Sequence, residues 1–177
     1  MNRKLRISLA LTALWFVLAA SCNSKAEGGS TPEVVAKALT QAVESKSYGD
    51  LLPLVAPDDR DIFVGVIVFA AGFSNKSKDD IVELKRKYDL DSKPSPALDG
   101  SHAQTRKAIA EWLGDIDRNA LLIDALRILE SRGEVRIPSG QLTDLELEGD
   151  KGEGKLGGKP VLFVRERGRW YLALPRE

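Results

Sequence analysis

"QLTDLELEGDKGEGKLGGKPVLFVRERGRWYLAL", residues 141–174, contains the pattern that decides the fold. Apolar and polar residues alternate within it, and short glycine-containing segments separate the alternating stretches. A period of two is typical of strands with one face buried and one face in water, and glycine turns of this length join antiparallel neighbours. With "EVRI" at 134–137 as a further strand, the sequence predicts an antiparallel β-meander.

The alternation also predicts which side chains share a buried face. These sets are Thr143, Leu145 and Leu147; Val161 and Phe163; and Trp170, Leu172 and Leu174. Tyr171 and Ala173 then fall on the opposite face of the last strand.

The segments before the meander have helical patterns. "STPEVVAKALTQAVESKSYGD" (30–50) starts with Thr31 as N-cap, Pro32 at the first helical position and Glu33 in the first turn. "DLLPLVAPDDRD" (50–61) predicts a short helix or turn. "IFVGVIVFAAGF" (62–73) is rich in β-branched residues, but its length and lack of alternation favour a helix buried nearly all round, with Gly65 and Gly72 allowing close packing.

Three more helices are predicted at 78–90, 102–113 and 118–131. Gly114 and Asp115 separate the last two, and Gly133 ends the last. Helices first and strands last indicate an α+β domain over residues 31–177, with N-terminal helices packed on a curved C-terminal antiparallel β-meander.

The N-terminus has the features of a secretory signal peptide, residues 1–21. Three cations, Arg3, Lys4 and Arg6, precede an apolar run over 7–20 that ends in small residues. The run is short for a membrane span, which needs about 20 apolar residues. Its end, "LAASC", resembles the lipobox of bacterial lipoproteins, although Leu18 lies four residues before Cys22 and Ala19 takes the place where leucine is usual.

The lipobox resemblance implies that the sulfur of Cys22 carries a diacylglyceryl group and that Cys22 becomes the mature N-terminus. The alternative is an ordinary secreted protein cut near Ser21, which would leave the only thiol of the chain free in an oxidising compartment. Residues 22–30 are small, polar and glycine-rich, so they predict a flexible tether. Asn23 is not the aspartate that commonly retains lipoproteins in the inner membrane, which favours the outer membrane in a Gram-negative cell.

The charge balance of the chain bears on the class of partner. The chain has 26 basic and 26 acidic residues, and without the three cations of the signal peptide its formal charge would be −3. That balance gives no support to a nucleic-acid partner. The basic runs at 85–87 and 165–169 are interpreted as solvated faces.

Two segments, "TPEVVAKALTQAVESKSYGDLLPLVAPDDRD" and "GKPVLFVRERGRWYLALP", resemble bacterial lipoproteins with a nuclear-transport-factor-2-like (cystatin-like) fold. The resemblance covers both ends of the domain, whereas residues 75–133 contain more helix than that fold needs. It implies a cone in which the sheet curls around the first helices, leaving a cavity that some members use as an active site.

Few residues are candidates for catalysis. His102 is the only histidine, and its place near a helix start predicts an exposed side chain. Asp117 and Asp124 lie two turns apart on one helix face, but Asp115 and Asp117 are better interpreted as helix caps. Trp112, Trp170 and Tyr171 are expected in the core or in a pocket wall. No catalytic residue, metal site or cofactor is therefore assigned.

Three functions remain. The preferred one is a cell-envelope protein, anchored in the membrane through Cys22, whose non-catalytic domain binds a small apolar ligand or an envelope protein. The alternatives are an isomerase- or dehydratase-like enzyme of the same superfamily, which would need His102 or an aspartate in the cavity, and a purely structural lipoprotein.

Overall fold

The computed structural model describes residues 27–73, 78–97 and 100–175, and within them five α-helices precede four strands. The helices are α1 (Pro32–Glu44), α2 (Arg60–Phe73), α3 (Lys78–Lys87), α4 (His102–Leu113) and α5 (Arg118–Ser131). The strands are β1 (Leu142–Glu148), β2 (Lys151–Leu156), β3 (Lys159–Glu166) and β4 (Arg169–Ala173). Short 3-10 turns lie at Tyr48–Asp50, Leu52–Leu54, Pro57–Asp59 and Leu90–Ser92. The α+β prediction is confirmed.

The N-terminal caps of the helices explain why their starts were predictable. Thr31 Oγ1 accepts a hydrogen bond from Val34 N at 3.4 Å, as expected for an N-cap threonine. One carboxylate oxygen of Asp117 accepts from Asn119 N at 2.9 Å and from Ala120 N at 3.1 Å. The cap predictions for Thr31 and Asp117 are confirmed, and the one for Asp115 is wrong, since Gly114 is the C-cap of α4 and Asp117 the N-cap of α5. Helices α4 and α5 have the predicted bounds.

The apolar segment at 62–73 forms most of α2, so the helix prediction is confirmed. A Cβ atom at Gly65 would lie 2.9 Å from Ile109 Cγ2, and the missing side chain therefore lets α2 and α4 pack closely. At Gly72 the nearest contact of such an atom would be an ordinary 3.8 Å to Ile81, so no close approach requires this glycine. Val66 is 54% exposed, so α2 is not buried all round as predicted. None of the helices in the described residues combines the length and the apolar character needed to span a membrane.

The strands form one antiparallel sheet in the order β1-β2-β3-β4, which is the predicted meander. Phe163 lies between Gly152 on β2 and Leu172 on β4, and all three are buried. This face of the sheet packs toward α1, whose Val35 and Leu39 are fully buried. The predicted burial of Val161 and Phe163, and of Trp170 and Leu172, is confirmed.

Two strand predictions are wrong. Residues 134–137 have no strand conformation, because the chain stays bound to the end of α5: Glu134 N donates to Leu129 O at 2.8 Å. In β1 the register shifts between Thr143 and Glu146, and Asp144 adopts a φ of 53°. This bulge ends the simple alternation: Thr143 and Leu147 are exposed, Leu147 by 56%, and only Leu145 of the predicted buried set is partly buried.

The outer edge of β4 is covered by two short segments of chain. Gly29 and Trp170 exchange two backbone hydrogen bonds of 2.8 Å, and Ala56 N donates to Leu172 O at 2.8 Å. Tyr171, which the alternation placed on the face opposite Trp170, is only 5% exposed, in agreement with its expected place in the core or in a pocket wall. Gly28 packs directly against its ring. Among the described residues, packing against the sheet thus includes Gly28, three residues before the predicted start of the domain.

Candidate functional site

The predicted lipidation site, Cys22, lies outside the described residues. The structure therefore provides the geometry of the domain that follows, and the acylation of Cys22 stays a prediction.

His102, predicted to be exposed, is instead largely buried. It is the first residue of α4, its side chain is 23% exposed, and its Nε2 lies 3.7 Å from Oδ1 of the fully buried Asp59. The other carboxylate oxygen of Asp59 accepts from Leu174 N at 3.0 Å. Sequence reasoning missed Asp59 because a contact between residues 43 positions apart leaves no local signal.

The Asp59–His102 pair has the side chains of a carboxylate–imidazole pair, but His102 Nε2 makes no hydrogen bond to any residue that the structure describes. A general base needs a position within hydrogen-bond reach where a substrate can sit. Neither residue lines the grooves described below. Through its bond from Leu174 N, Asp59 connects the end of the sheet to the turn before α2.

The three aspartate candidates do not form an acid–base site. Asp117 caps α5, and Asp115 lies exposed in the turn before it. The Asp124 carboxylate binds Lys87 Nζ at 2.6 Å and the Tyr88 hydroxyl at 2.8 Å. Burial disfavours the charged carboxylate, but these hydrogen bonds outweigh it and lower the pKa of Asp124. A carboxylate with a lowered pKa stays ionised at neutral pH and is a poor general acid.

A groove at the junction of α2, α3, α4 and the turn after α3 is the best candidate for a binding site. We call it the aromatic groove. Its volume is about 360 Å³, within the usual range for small-molecule sites. It is lined by Val68, Phe69, Gly72, Ile81, Lys85, Leu90, Asp91, Lys93, Ser95 and Trp112.

Two stacked rings form one wall of the aromatic groove. The ring centroids of Phe69 and Trp112 are 5.3 Å apart, and the ring planes are inclined by 16°. Trp112 is 8% exposed, which confirms its expected place in the core or in a pocket wall. Its Nε1 is buried and has no hydrogen-bond partner among the described residues. An indole N–H is a donor only, and buried donors are normally satisfied.

The polar residues of the aromatic groove lie mainly on the segment that follows α3. Lys85 Nζ pairs with Asp91 Oδ1 at 3.0 Å. Lys93 Nζ donates to the backbone oxygen of Trp112 at 3.0 Å. Apolar walls with a few polar groups at one side are the usual composition of a small-molecule site.

A second groove, between α3 and α5, has a slightly larger volume of about 390 Å³. Its lining is mostly charged and includes Asp80, Glu83, Lys87, Asp124 and Arg127. Two of these charged groups, Lys87 and Asp124, already bind each other. The aromatic groove is the better candidate because it offers apolar walls and polar groups that do not all satisfy one another.

Sequence reasoning found one side of the aromatic groove and missed the rest. Trp112 was recognised as a possible wall residue, but nothing marked Phe69 or Lys93. Phe69 lies in an apolar run whose members look alike in sequence, and Lys93 lies in a proline-containing loop. No spacing rule connects these three positions.

No group of three or more histidine, cysteine, aspartate or glutamate side chains in the described part of the chain could hold a metal ion. The candidate site therefore consists of the aromatic groove and the hydrogen-bond donors that lie beside it. Comparison of the chain with protein-family models, with curated proteins and with solved structures finds no match.

Proposed function

We propose that this protein is a lipoprotein of the bacterial cell envelope, anchored through an acylated Cys22, whose domain binds a small apolar ligand in the aromatic groove without catalysis. The signal-peptide features and the "LAASC" sequence support the anchor. In a Gram-negative cell, Asn23 favours the outer membrane. At the finer level of fold we propose a nuclear-transport-factor-2-like (cystatin-like) domain, which a first helix packed on a four-stranded antiparallel sheet supports.

The observation that carries the binding proposal is the wall formed by Phe69 and Trp112. Large aromatic side chains normally gain stability by complete burial in a core. Here the stacked pair lines a groove of about 360 Å³ together with Val68, Ile81 and Leu90. Phe69 is half-buried and Trp112 is 8% exposed, so the apolar surface that the pair presents to a ligand comes mainly from Phe69.

The inner face of the sheet is a less suitable place for a ligand. Phe163, Leu156 and Leu172 on that face are 2%, 0% and 6% exposed. Side chains of the domain itself therefore fill the space where the family resemblance implied a cavity. The proposed ligand site lies between helices instead.

Binding can be tested with N-phenyl-1-naphthylamine, a neutral apolar dye whose fluorescence rises on leaving water. We expect saturable binding to the mature protein. We also expect Phe69→Ala to weaken it about tenfold, because a buried aromatic contact contributes more than 1 kcal/mol. Val66→Ala is the matched control, since Val66 lies on the same helix and is 54% exposed. Equal affinities for the two variants would exclude the aromatic groove as the binding site.

The anchor can be tested separately in cells that process lipoproteins. We expect the wild-type chain to incorporate labelled fatty acid and to partition into the detergent phase. Cys22→Ala should lose the label, whereas Ser24→Ala, two residues away, should keep it. Labelling of Cys22→Ala would contradict acylation at this cysteine.

A further inference from the structure

We infer that Gly72 determines how large a ligand the aromatic groove accepts, and that the ligand is an apolar molecule with a broad body that fills the space beside this glycine. This inference rests on the proposed binding function and specifies the shape of its ligand. It follows from a glycine that lines the groove and that the packing of the helices does not require.

The two glycines of α2 differ in what the fold requires of them. At Gly65 a Cβ atom would lie 2.9 Å from Ile109 Cγ2, so the packing of α2 on α4 excludes a side chain. Glycines in turns have a φ in the left-handed region, as at Gly133 and Gly149. Gly72 has neither property, since it is helical and a Cβ atom there would come no closer than 3.8 Å to Ile81. The described part of the fold would therefore accept an alanine at this position.

Glycine is also an unfavourable choice for Gly72 in terms of helix stability. A glycine in a helix loses more conformational freedom on folding than an alanine does. Gly72 lies within α2, one residue before the helix ends at Phe73. No closer packing compensates for this loss. A residue that breaks a local rule without a gain in packing is expected where function requires it.

Gly72 lies on the face of α2 that lines the aromatic groove. It follows Val68 by four residues and Phe69 by three, and residues at these spacings share one face of a helix. Val68 and Phe69 each place a large apolar side chain on the wall, whereas Gly72 places none. Gly72 is exposed, and Val68 is buried. The groove is therefore open at the turn of α2 that contains Gly72.

Ile81 of α3 lies across this opening and also lines the groove. A Cβ atom at Gly72 would have Cγ1 and Cδ1 of Ile81 at 3.8 and 3.9 Å, and no other described atom of α3, α4 or the turn after α3 within 4 Å. A side chain at position 72 would therefore project into the space that a ligand beside Ile81 would fill.

These walls favour a broad ligand over a slim one. The half-buried ring of Phe69 offers apolar surface, and the space at Gly72 extends the groove toward Ile81. A broad apolar body would cover both Phe69 and Ile81, whereas a slim body would leave one of them uncovered. Affinity increases with the apolar surface that leaves water.

Two neutral amines of different breadth test this inference on the mature full chain. N-phenyl-1-naphthylamine has one phenyl ring more than 1-naphthylamine, and fluorescence titration at one detergent concentration measures both affinities. Gly72→Leu should weaken binding of the larger amine about tenfold more than binding of the smaller one, because a few methylene groups in an apolar pocket give discrimination of this size. Gly72→Ala should change the ratio of the two affinities in the same direction by a smaller factor.

Two controls separate ligand selection from damage to the fold. Ala70→Leu should leave the ratio unchanged, since Ala70 is exposed on α2 and does not line the groove. In urea denaturation, Gly72→Ala should have a midpoint equal to or above that of wild type. Gly65→Ala should have a lower midpoint because of the contact with Ile109.

The outcomes separate this inference from the proposed function. If Gly72→Leu weakens both amines equally or neither, Gly72 does not select the ligand, and the inference is wrong while Phe69→Ala still tests the binding function. If Gly72→Leu does not fold, an unchanged ratio in Gly72→Ala overturns the inference. A midpoint of Gly72→Ala as low as that of Gly65→Ala also contradicts it, because the fold would then require the glycine. If neither amine binds to wild type, the binding function itself fails.

Discussion

Gly28 is the first residue of the described part of the chain that packs against the sheet. Its φ is +61°, and a Cβ atom there would lie 2.6 Å from Trp170 O and 2.7 Å from Cε1 of the Tyr171 ring. Gly28→Ala would add left-handed backbone strain to a steric overlap. We expect a loss of about 2–3 kcal/mol in the free energy of unfolding, measured by urea denaturation.

Gly158→Ala is the matched control for Gly28→Ala. Gly158 has a φ of +79°, but a Cβ atom there would have nothing within 4 Å. Only the backbone strain remains, so we expect a loss of about 1 kcal/mol. Equal losses in the two variants would mean that Gly28 does not approach the sheet closely.

Trp170 is the residue on which the last strand depends most. It is 6% exposed and pairs through its backbone with Gly29. Trp170→Ala should reduce the free energy of unfolding by about 3–5 kcal/mol, the usual cost of deleting a buried large aromatic. Arg169→Ala, at the exposed neighbouring position, should change it by less than about 0.5 kcal/mol. Similar small losses in both would contradict the observed orientation of β4.

Helix α5 is held at two positions, and at each of them a lysine and a tyrosine bind one carboxylate of the helix. Lys87 and Tyr88, from the end of α3, bind Asp124. Lys46 and Tyr48, from the turn after α1, bind Glu130. Burial and the neighbouring carboxylates raise the pKa of both tyrosines, which keeps the hydroxyls protonated as donors. These clusters connect α5 to elements on both sides of it.

The Asp124 cluster predicts acid sensitivity. The hydrogen bonds from Lys87 and Tyr88 hold the pKa of Asp124 below its usual value in the folded protein. Its contribution to stability is therefore present above that value and is lost as the pH falls through the folded pKa. We expect Asp124→Asn to be less stable than wild type at pH 7, and the difference to shrink toward pH 3. Urea denaturation across this pH range measures it.

Asp115→Asn is the control for acid sensitivity, because Asp115 lies exposed in the turn before α5. Asp115→Asn removes one exposed carboxylate and should change the free energy of unfolding at pH 7 by less than about 0.5 kcal/mol. If the free energies of unfolding of wild type and Asp124→Asn differ by a constant amount from pH 7 to pH 3, the ionisation of Asp124 does not contribute to stability.

The elements that were predictable from sequence are those whose signals are local. α4 and α5 begin at caps and end at glycines within a few residues of the helix, so their bounds followed from "LDGSH" and "GDIDR". The bulge in β1 depends instead on pairing with β2, and the irregular segment at 134–137 depends on contacts with α5. Tertiary contacts decided both, so periodicity alone gave the wrong result.

At the scale of the whole molecule, the candidate site was the least predictable feature. The aromatic groove requires Phe69 and Trp112 to stack although 42 residues separate them in sequence. Gly65 makes this possible, because the close contact with Ile109 brings α2 and α4 together. The sequence indicated that Gly65 allows close packing, but it did not identify the helix on the other side.

The packing of Gly28 and Gly29 on β4 also determines how the domain would sit relative to a membrane. Glu27 adds an ion pair with Arg60, at 3.3 Å. Six Cα–Cα steps separate Cys22 from Gly28, and a fully extended chain of that length spans about 20 Å. If Cys22 is acylated, the domain is confined to within about this distance of the bilayer surface.

Lengthening the connection should therefore raise the domain away from the membrane. A flexible Gly/Ser segment of about 20 residues has a root-mean-square length of about 25 Å. We expect its insertion between residues 26 and 27 to lower energy transfer from a dye on the domain to acceptor-labelled lipid headgroups in vesicles. The dye is attached through Lys37→Cys, whose thiol is the only free one once Cys22 is acylated.

The same insertion in the turn after Gly149 lengthens the chain by the same amount without changing the connection to Cys22. Gly149 has a φ of 59° and open space around it, so the turn can accept the extra residues. Energy transfer in this control should equal that of wild type, because the packed segment at Gly28 still holds the domain near the headgroups. If transfer falls equally in both proteins, or in neither, the distance to the membrane is not set by the residues between Cys22 and Gly28.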